Sequence, residues 1–186
     1  EVVDVDTGAR TVTVTGDGET YETAYDSLLV ATGAQAIVPP FDGVDLEGVF
    51  TIHDMDEADA INRFVAEATP ETAGIVGGGY VGIEMAEALA AHGITVHLYE
   101  MLPHVLQPFG DVVAEAVEAE VREQGVHLHL DTAVSGFTGE ERVDGVRLDD
   151  DDVVPADVVI VGVGVEPNVS RAEAAGIELG PTGAVA

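Results

Sequence analysis

The most specific chemistry in the sequence lies in one short stretch, Gly77-Gly-Gly79-Tyr-Val-Gly82. It follows an apolar run ending at Val76 and opens a segment that reads as a helix. Three glycines at G-x-G-x-x-G spacing in that context form a phosphate-binding turn. Gly77 permits the sharp exit from a strand, and Gly79 leaves room for a pyrophosphate to approach bare backbone. Gly82 lets helix and strand pack closely. Val81 lies within the same helix start, whose unpaired N–H groups and partial positive charge face the phosphates. A carboxylate completes the pattern. Glu100 ends Val96-His-Leu-Tyr-Glu100, about 23 positions beyond Gly77, close to the ~20 typical of a ribose-binding acid. A carboxylate there accepts hydrogen bonds from both ribose hydroxyls of NAD and repels the 2′-phosphate of NADP. Met101-Leu-Pro103 supply no Arg to reverse that choice, so NADH is the expected ligand.

The elements that must position these residues follow from periodicity. Residues 1–25 alternate in the strand period around Gly16-Asp-Gly18 and predict an antiparallel ribbon. Ser27-Leu-Leu-Val-Ala31 predicts a short apolar strand. Asp54 followed by Glu57 is a capping box, which predicts a helix over 55–68. Residues 74–76, 95–99 and 126–130 predict strands, separated by helices over 80–92 and 111–124 that Gly93 and Gly125 terminate. The second of these helices shows an apolar stripe at Val113, Val117 and Val121. Strands alternating with helices imply a parallel sheet covered on its faces. A second ribbon is expected over 134–137, 143–148 and 153–154, and a last apolar strand over 158–161.

Composition narrows the function classes. Of 186 residues, 36 are acidic and 6 basic, giving a formal charge of −30; every base is Arg, and Lys is absent. A hydrophobic content of 46% excludes a disordered acidic tail. Nucleic acid and anionic membranes are poor partners for such a charge, and no apolar run approaches the ~18 residues of a membrane span. With no Cys, thiol chemistry and thiolate metal sites are excluded from this chain. His127 and His129 share a strand face, but no third ligand stands near them in sequence, so no metal is expected. Acids spread evenly over a folded body repel one another at low salt and are screened at high salt, where the Debye length falls from ~10 Å at 0.1 M to ~3 Å at 1 M. A cytoplasmic protein of a high-salt cell is therefore expected.

Two stretches echo each other: Asp26-Ser-Leu-Leu-Val-Ala-Thr-Gly33 and Asp157-Val-Val-Ile-Val-Gly-Val-Gly164. Each shares a frame of Asp, an apolar run and a closing Gly, and each follows ribbon-like sequence. Two units of one plan are expected, the first represented by its last part. The opening at Glu1 and the close after Gly180-Pro-Thr-Gly183 read as those of an internal piece of a longer protein.

The combination of Leu29-Val-Ala-Thr-Gly-Ala34, Gly77-Gly-Gly-Tyr-Val-Gly-Ile-Glu84, Leu102-Pro-His-Val-Leu-Gln-Pro-Phe109 and Val161-Gly-Val-Gly-Val-Glu-Pro-Asn168 resembles the FAD-dependent pyridine nucleotide–disulfide oxidoreductases, in the branch of NADH oxidases and coenzyme A–disulfide reductases. The resemblance implies an α/β fold: a Rossmann-like three-layer dinucleotide-binding domain with an antiparallel β-ribbon, inserted in a second, homologous FAD-binding domain. Residues 1–50 would be the late part of the FAD domain, 51–168 the inserted NAD(H) domain, and 169–186 the start of the return. The implied cofactors are FAD and NAD(H), the electron acceptor oxygen or a small disulfide, and the parent protein a homodimer.

Site residues follow from the same resemblance. Ala31, Thr32 and Gly33 would lie against FAD, and His53 would stand where relatives carry an Arg or Lys directed at the flavin. Tyr80 would cover the nicotinamide pocket and move aside for NADH. Glu84 would hydrogen-bond the nicotinamide carboxamide, Phe109 would border the adenine, and Gly164 would let a strand end approach the nicotinamide. Tyr80 and Glu84 are thus the residues implied nearest the hydride-transfer chemistry. Two other readings stay open: a ferredoxin or nitrite reductase-type flavin reductase, and a non-catalytic NAD-binding module.

Overall fold

The computed structural model describes residues 1–185; Ala186, the last residue of the expected return segment, lies outside the described residues. The chain divides into two compact units, Glu1–Gln35 with Glu166–Ala186, and Ala36–Val165. The first begins with β1 (Val2–Asp6), β2 (Thr11–Gly16) and β3 (Glu19–Ala24), an antiparallel sheet in that order. The β-branched run from Thr11 suits strand backbone, and Asp17 and Gly18, both at positive φ (51° and 80°), make the tight turn into β3. The ribbon expected over 1–25 is present.

The strand expected over 27–31 does not form. Its residues run as irregular chain with Leu29 86% and Leu28 38% exposed. An apolar run becomes a strand only where a neighbour takes its backbone hydrogen bonds. No strand lies beside it among the described residues.

Along the chain follow β4 (Ala34–Ala36), β5 (Val49–Thr51), α1 (Met55–Ala68), β6 (Thr72–Val76), α2 (Tyr80–Ala91) and β7 (Thr95–Tyr99). A 3-10 turn (Gln107–Phe109), α3 (Asp111–Glu123), β8 (His127–His129), β9 (Val134–Gly139), β10 (Val143–Leu148), β11 (Val153–Pro155), β12 (Val158–Val161) and β13 (Val165–Pro167) come next. Last is the short α4 (Ser170–Ala174), tied within the first unit by Arg171, which donates to the Val3 carbonyl at 2.6 Å and pairs with Glu1 at 2.9 Å. The helix expected over 55–68 starts at the capping box: the Asp54 carboxylate accepts from the Glu57 amide at 2.9 Å, and the Glu57 carboxylate accepts from the amides of His53 and Asp54.

The second unit is built on a five-stranded parallel sheet in the order β5-β12-β6-β7-β8. Alternation along its strands sorts side chains to two faces. Ile75, Val96, Leu98, Val158 and Ile160 meet Ile61 of α1, Ala86 and Leu89 of α2 and Val121 of α3. Val76, Tyr99, Val159 and Val161 meet Val134, Phe137, Val143 and Val146 of the antiparallel sheet β11-β10-β9. Helices, parallel sheet and antiparallel sheet thus form the three layers expected, and Gly74 lets the sheets close up: a Cβ there would stand 2.6 Å from Val146 Cγ2.

The stripe expected on α3 is shifted. Val113 is exposed, while Ala114, Glu118 and Val121 are buried, with Val117 half-buried. The helix turns a small residue and a carboxylate inward because the loop before it packs there and donates hydrogen bonds to Glu118.

Candidate functional site: a glycine cradle at the carboxyl ends of the parallel strands

The turns leaving β6, β7 and β12 border a cleft of about 570 Å³, within the usual range for a ligand site. It lies at the carboxyl ends of these parallel strands, outside which open α/β sheets take their ligands. Gly77 has φ 108°, and an added Cβ would come within 2.5 Å of the Gly162 carbonyl oxygen. A Cβ on Gly82 would run into the Gly77 carbonyl, so the helix approaches the turn as closely as backbone allows. Gly79 differs from both: a Cβ there would meet nothing within 4 Å, because the position faces the open cleft. Of the three motif glycines, Gly79 alone leaves open space where a Cβ would stand.

Gly79 is also the N-cap of α2, which has no side-chain cap and no acid in its first turn. The first amides of a helix have no partner within it. Here no side chain caps them, at a helix start of positive potential. Of the residues lining the cleft, Glu100 alone is charged, in a chain whose net charge is −30. Glu100 is the one acid that borders the glycine turn.

The Glu100 carboxylate is held by two backbone amides, Gly78 at 2.7 Å to Oε2 and Leu102 at 2.8 Å to Oε1. Each oxygen keeps a further lone pair for a ligand hydroxyl. No Lys or Arg occurs between residues 64 and 121, so the strand end offers no cation for a 2′-phosphate.

The remaining expected site residues are distributed as follows. Tyr80, 67% exposed, lines the cleft, as do Val81 and Gly164, the latter at φ 119°. Glu84 is exposed one turn into α2 and lies outside the cleft lining, as do His53 at the start of α1 and Phe109 in the 3-10 turn. Ala31, Thr32 and Gly33 lie in the first unit, exposed, with Gly33 at φ 68°. There the structure joins two motifs that sequence spacing leaves far apart. The Thr32 hydroxyl donates to the Asn168 carbonyl at 2.5 Å, Asn168 Nδ2 donates to the Thr32 carbonyl at 3.1 Å, and the Asn168 amide donates to the Gly33 carbonyl at 3.0 Å.

Several lining residues have no sequence signature: Phe41, Ile52, Tyr99 and the turn 132–134. The Tyr99 ring is buried and its hydroxyl has no hydrogen-bond partner. Burial pushes its pKa above the usual phenol range. His127 and His129 have a third imidazole beside them that is distant in sequence. His97 pairs across from His127 in the sheet, stacks on it at 4.6 Å between ring centres, and sets Nδ1 3.0 Å from His129 Nε2. The rings stack flat instead of converging on a point, and no group arranged to hold a metal occurs among the described residues. Burial first, then repulsion between the rings, lowers the pKa of His97 and His129.

Comparison with known proteins agrees with this geometry. The family model described as pyridine nucleotide-disulphide oxidoreductase matches residues 1–186. An NADH oxidase from Methanocaldococcus jannaschii is 35% identical over 181 residues, covering 96% of this chain and 40% of the relative. An NAD(P)H coenzyme A polysulfide/persulfide reductase from Pyrococcus horikoshii is 38% identical over 186 residues, 100% of this chain and 41% of the relative. The solved structure of reduced CoADR-RHD from Bacillus anthracis superposes with a TM-score of 0.92 at 33% identity, over 98% of this chain and 33% of that one. The chain therefore spans about two-fifths of the length of these curated relatives. By its glycine cradle, its three-layer unit and a family match along its whole length, the chain belongs to the pyridine nucleotide-disulphide oxidoreductases.

Proposed function

We propose that this chain is the NADH-binding portion of a flavin-dependent oxidoreductase of the NADH oxidase or coenzyme A–disulfide reductase kind, in which electrons pass from NADH through FAD to oxygen or a disulfide. The observation that carries the reading is the open face of Gly79 at an uncapped helix start, with a fixed carboxylate at the next strand end. Bound NADH supplies the hydride, and bound FAD receives it. The chain's own task is to bind and orient. The amides at the start of α2 hold the pyrophosphate, Glu100 takes the ribose hydroxyls and disfavours a 2′-phosphate, and Tyr80 shields the nicotinamide end until NADH enters. Glu84 and Gly164 bear on the nicotinamide, and Phe109 on the adenine. Ala31, Thr32 and Gly33, braced by Asn168, lie against FAD. In this reading residues 1–50 and 169–186 belong to the FAD domain and 51–168 to the inserted NADH domain.

The same proposal places the protein in a high-salt cytoplasm, on the strength of its −30 charge and lack of Lys. No helix is long and apolar enough to cross a membrane among the described residues. The test is purification of the full gene product in molar potassium chloride. A yellow protein that oxidises NADH in preference to NADPH is expected. A colourless protein, or one preferring NADPH, contradicts the reading. Loss of melting temperature on transfer to dilute buffer is expected as well, and a salt-insensitive melt would remove the high-salt assignment.

A further inference from the structure

Glu118 is the only buried charged side chain among the described residues, and the cleft chemistry gives it no task. It sits in the middle of α3, on the face where the sequence suggests valine. Its Oε1 accepts the Val105 amide at 3.3 Å and lies 3.0 Å from His104 Nδ1, while Oε2 faces Arg122 at 3.7 Å. The hydrogen bond that the His104 ring donates to Glu118 raises the pKa of His104 from its ordinary value, with the charges of Glu118, Asp111 and Glu115 adding to the effect.

From this anchor, two contacts lead to the glycine turn. Val105 is fully buried and packs under Gly78, where an added Cβ would stand 2.8 Å from Val105 Cγ1. The Leu106 amide donates to the Gly78 carbonyl at 3.0 Å. Leu106 does so at φ 50°, ψ 37°, a left-handed conformation that a branched side chain avoids unless its surroundings impose it. The Gly78 amide is meanwhile held by Glu100 at 2.7 Å. Gly78 is thus gripped from both sides by residues 100–106, and the far end of that segment is fixed by Glu118.

We propose that Glu118 is a positioning residue for dinucleotide binding: by gripping residues 104 and 105 it sets Val105 and Leu106 against Gly78 and holds the glycine turn in the shape that receives a pyrophosphate. The inference rests on the NADH-binding reading above. A carboxylate buried on a helix is otherwise costly, and an apolar residue would pack that face as well. What an apolar residue cannot do is hold a left-handed loop residue in place at a distance.

The test compares wild type, Glu118→Leu and Glu118→Gln in the full gene product, by calorimetric titration with NADH, hydrogen exchange at the Leu106 amide and steady-state kinetics. Glu118→Gln keeps an oxygen for the Val105 amide and should bind NADH within about threefold of wild type. Glu118→Leu should weaken NADH about tenfold or more, the worth of a lost hydrogen bond to a charged group. It should also speed exchange at Leu106, raising KM while kcat at saturating NADH stays near wild type. If Glu118→Leu does not fold, Val105→Ala tests the same strut at its contact with Gly78, again with weaker NADH binding expected. Equal affinity in a folded Glu118→Leu or Val105→Ala protein overturns the inference alone. A wild-type protein that binds no NADH overturns the functional reading, and the inference with it.

Discussion

The segments 26–33 and 157–164 share one sequence frame and meet opposite fates. The second forms β12, with Val158, Val159, Ile160 and Val161 all buried between β5 and β6. The first forms no strand and leaves Leu28 and Leu29 exposed. Their closing glycines nonetheless agree: Gly33 and Gly164 both take positive φ, and both carbonyls accept an amide, from Asn168 and Ile37 at 3.0 Å each. The difference teaches that an apolar run specifies where a strand goes, while its neighbours decide whether one exists. The closing glycine takes positive φ in both.

The comparison breaks most readily at the strand centres. Val159→Asp places a charge between two sheets and should cost more than about 4 kcal/mol, abolishing cooperative unfolding of the Ala36–Val165 unit. In this 186-residue chain taken alone, Leu29→Asp should change stability by under about 0.5 kcal/mol; chemical denaturation measures both, and a large loss from Leu29→Asp would show that segment buried. The leading aspartates come next. Asp157 Oδ2 accepts the amides of Glu71 and Thr72 at 3.0 and 2.9 Å, so Asp157→Ala should cost about 2 kcal/mol. Asp26 is exposed and makes no comparable bond among the described residues, so Asp26→Ala should be near neutral. At the glycines the two segments should converge, with Gly33→Ala and Gly164→Ala each costing about 1–2 kcal/mol for a side chain at positive φ. A cost at one position only would deny that the turns are equivalent.

The smallest effect is a pH slope. The unfolded chain protonates His97 and His129 near pH 6.5, whereas burial keeps their native pKa lower. Below pH 6.5 the unfolded state therefore binds more protons, and stability should fall as pH drops toward the native values. His104 acts oppositely: its contribution is complete below pH 6.5 and is lost as pH rises through its raised native pKa. His97→Phe should flatten the acid side of a stability profile from pH 8 to 5 without altering the alkaline side.

What the sequence makes legible is whatever local rules govern. The Asp54–Glu57 capping box, the glycine turn and the runs 95–99 and 158–161 each form within a residue or so of expectation, because caps, turns and two-residue alternation need only their own neighbourhood. The rest depends on partners distant along the chain. Val113 loses its expected place to Glu118 because the loop at 104–105 has the Val105 amide and the His104 ring to satisfy. His97 reaches His129 only once β7 and β8 are in register, and Phe41, Ile52 and residues 132–134 reach the cleft only once the layers stack. Thr32 and Asn168 belong to motifs each readable alone, but their hydrogen bonds are not.

The central claim is that backbone at Gly79 receives the pyrophosphate of NADH. Gly79 sits at φ −73°, which any residue adopts, and a side chain there meets no protein atom, so Gly79→Val should fold like wild type. Calorimetric titration of wild type and Gly79→Val with NADH in molar potassium chloride, with melting curves alongside, isolates the cradle from the fold. The account predicts unchanged melting and no measurable NADH binding by the variant. Wild-type affinity in a folded Gly79→Val protein would contradict it.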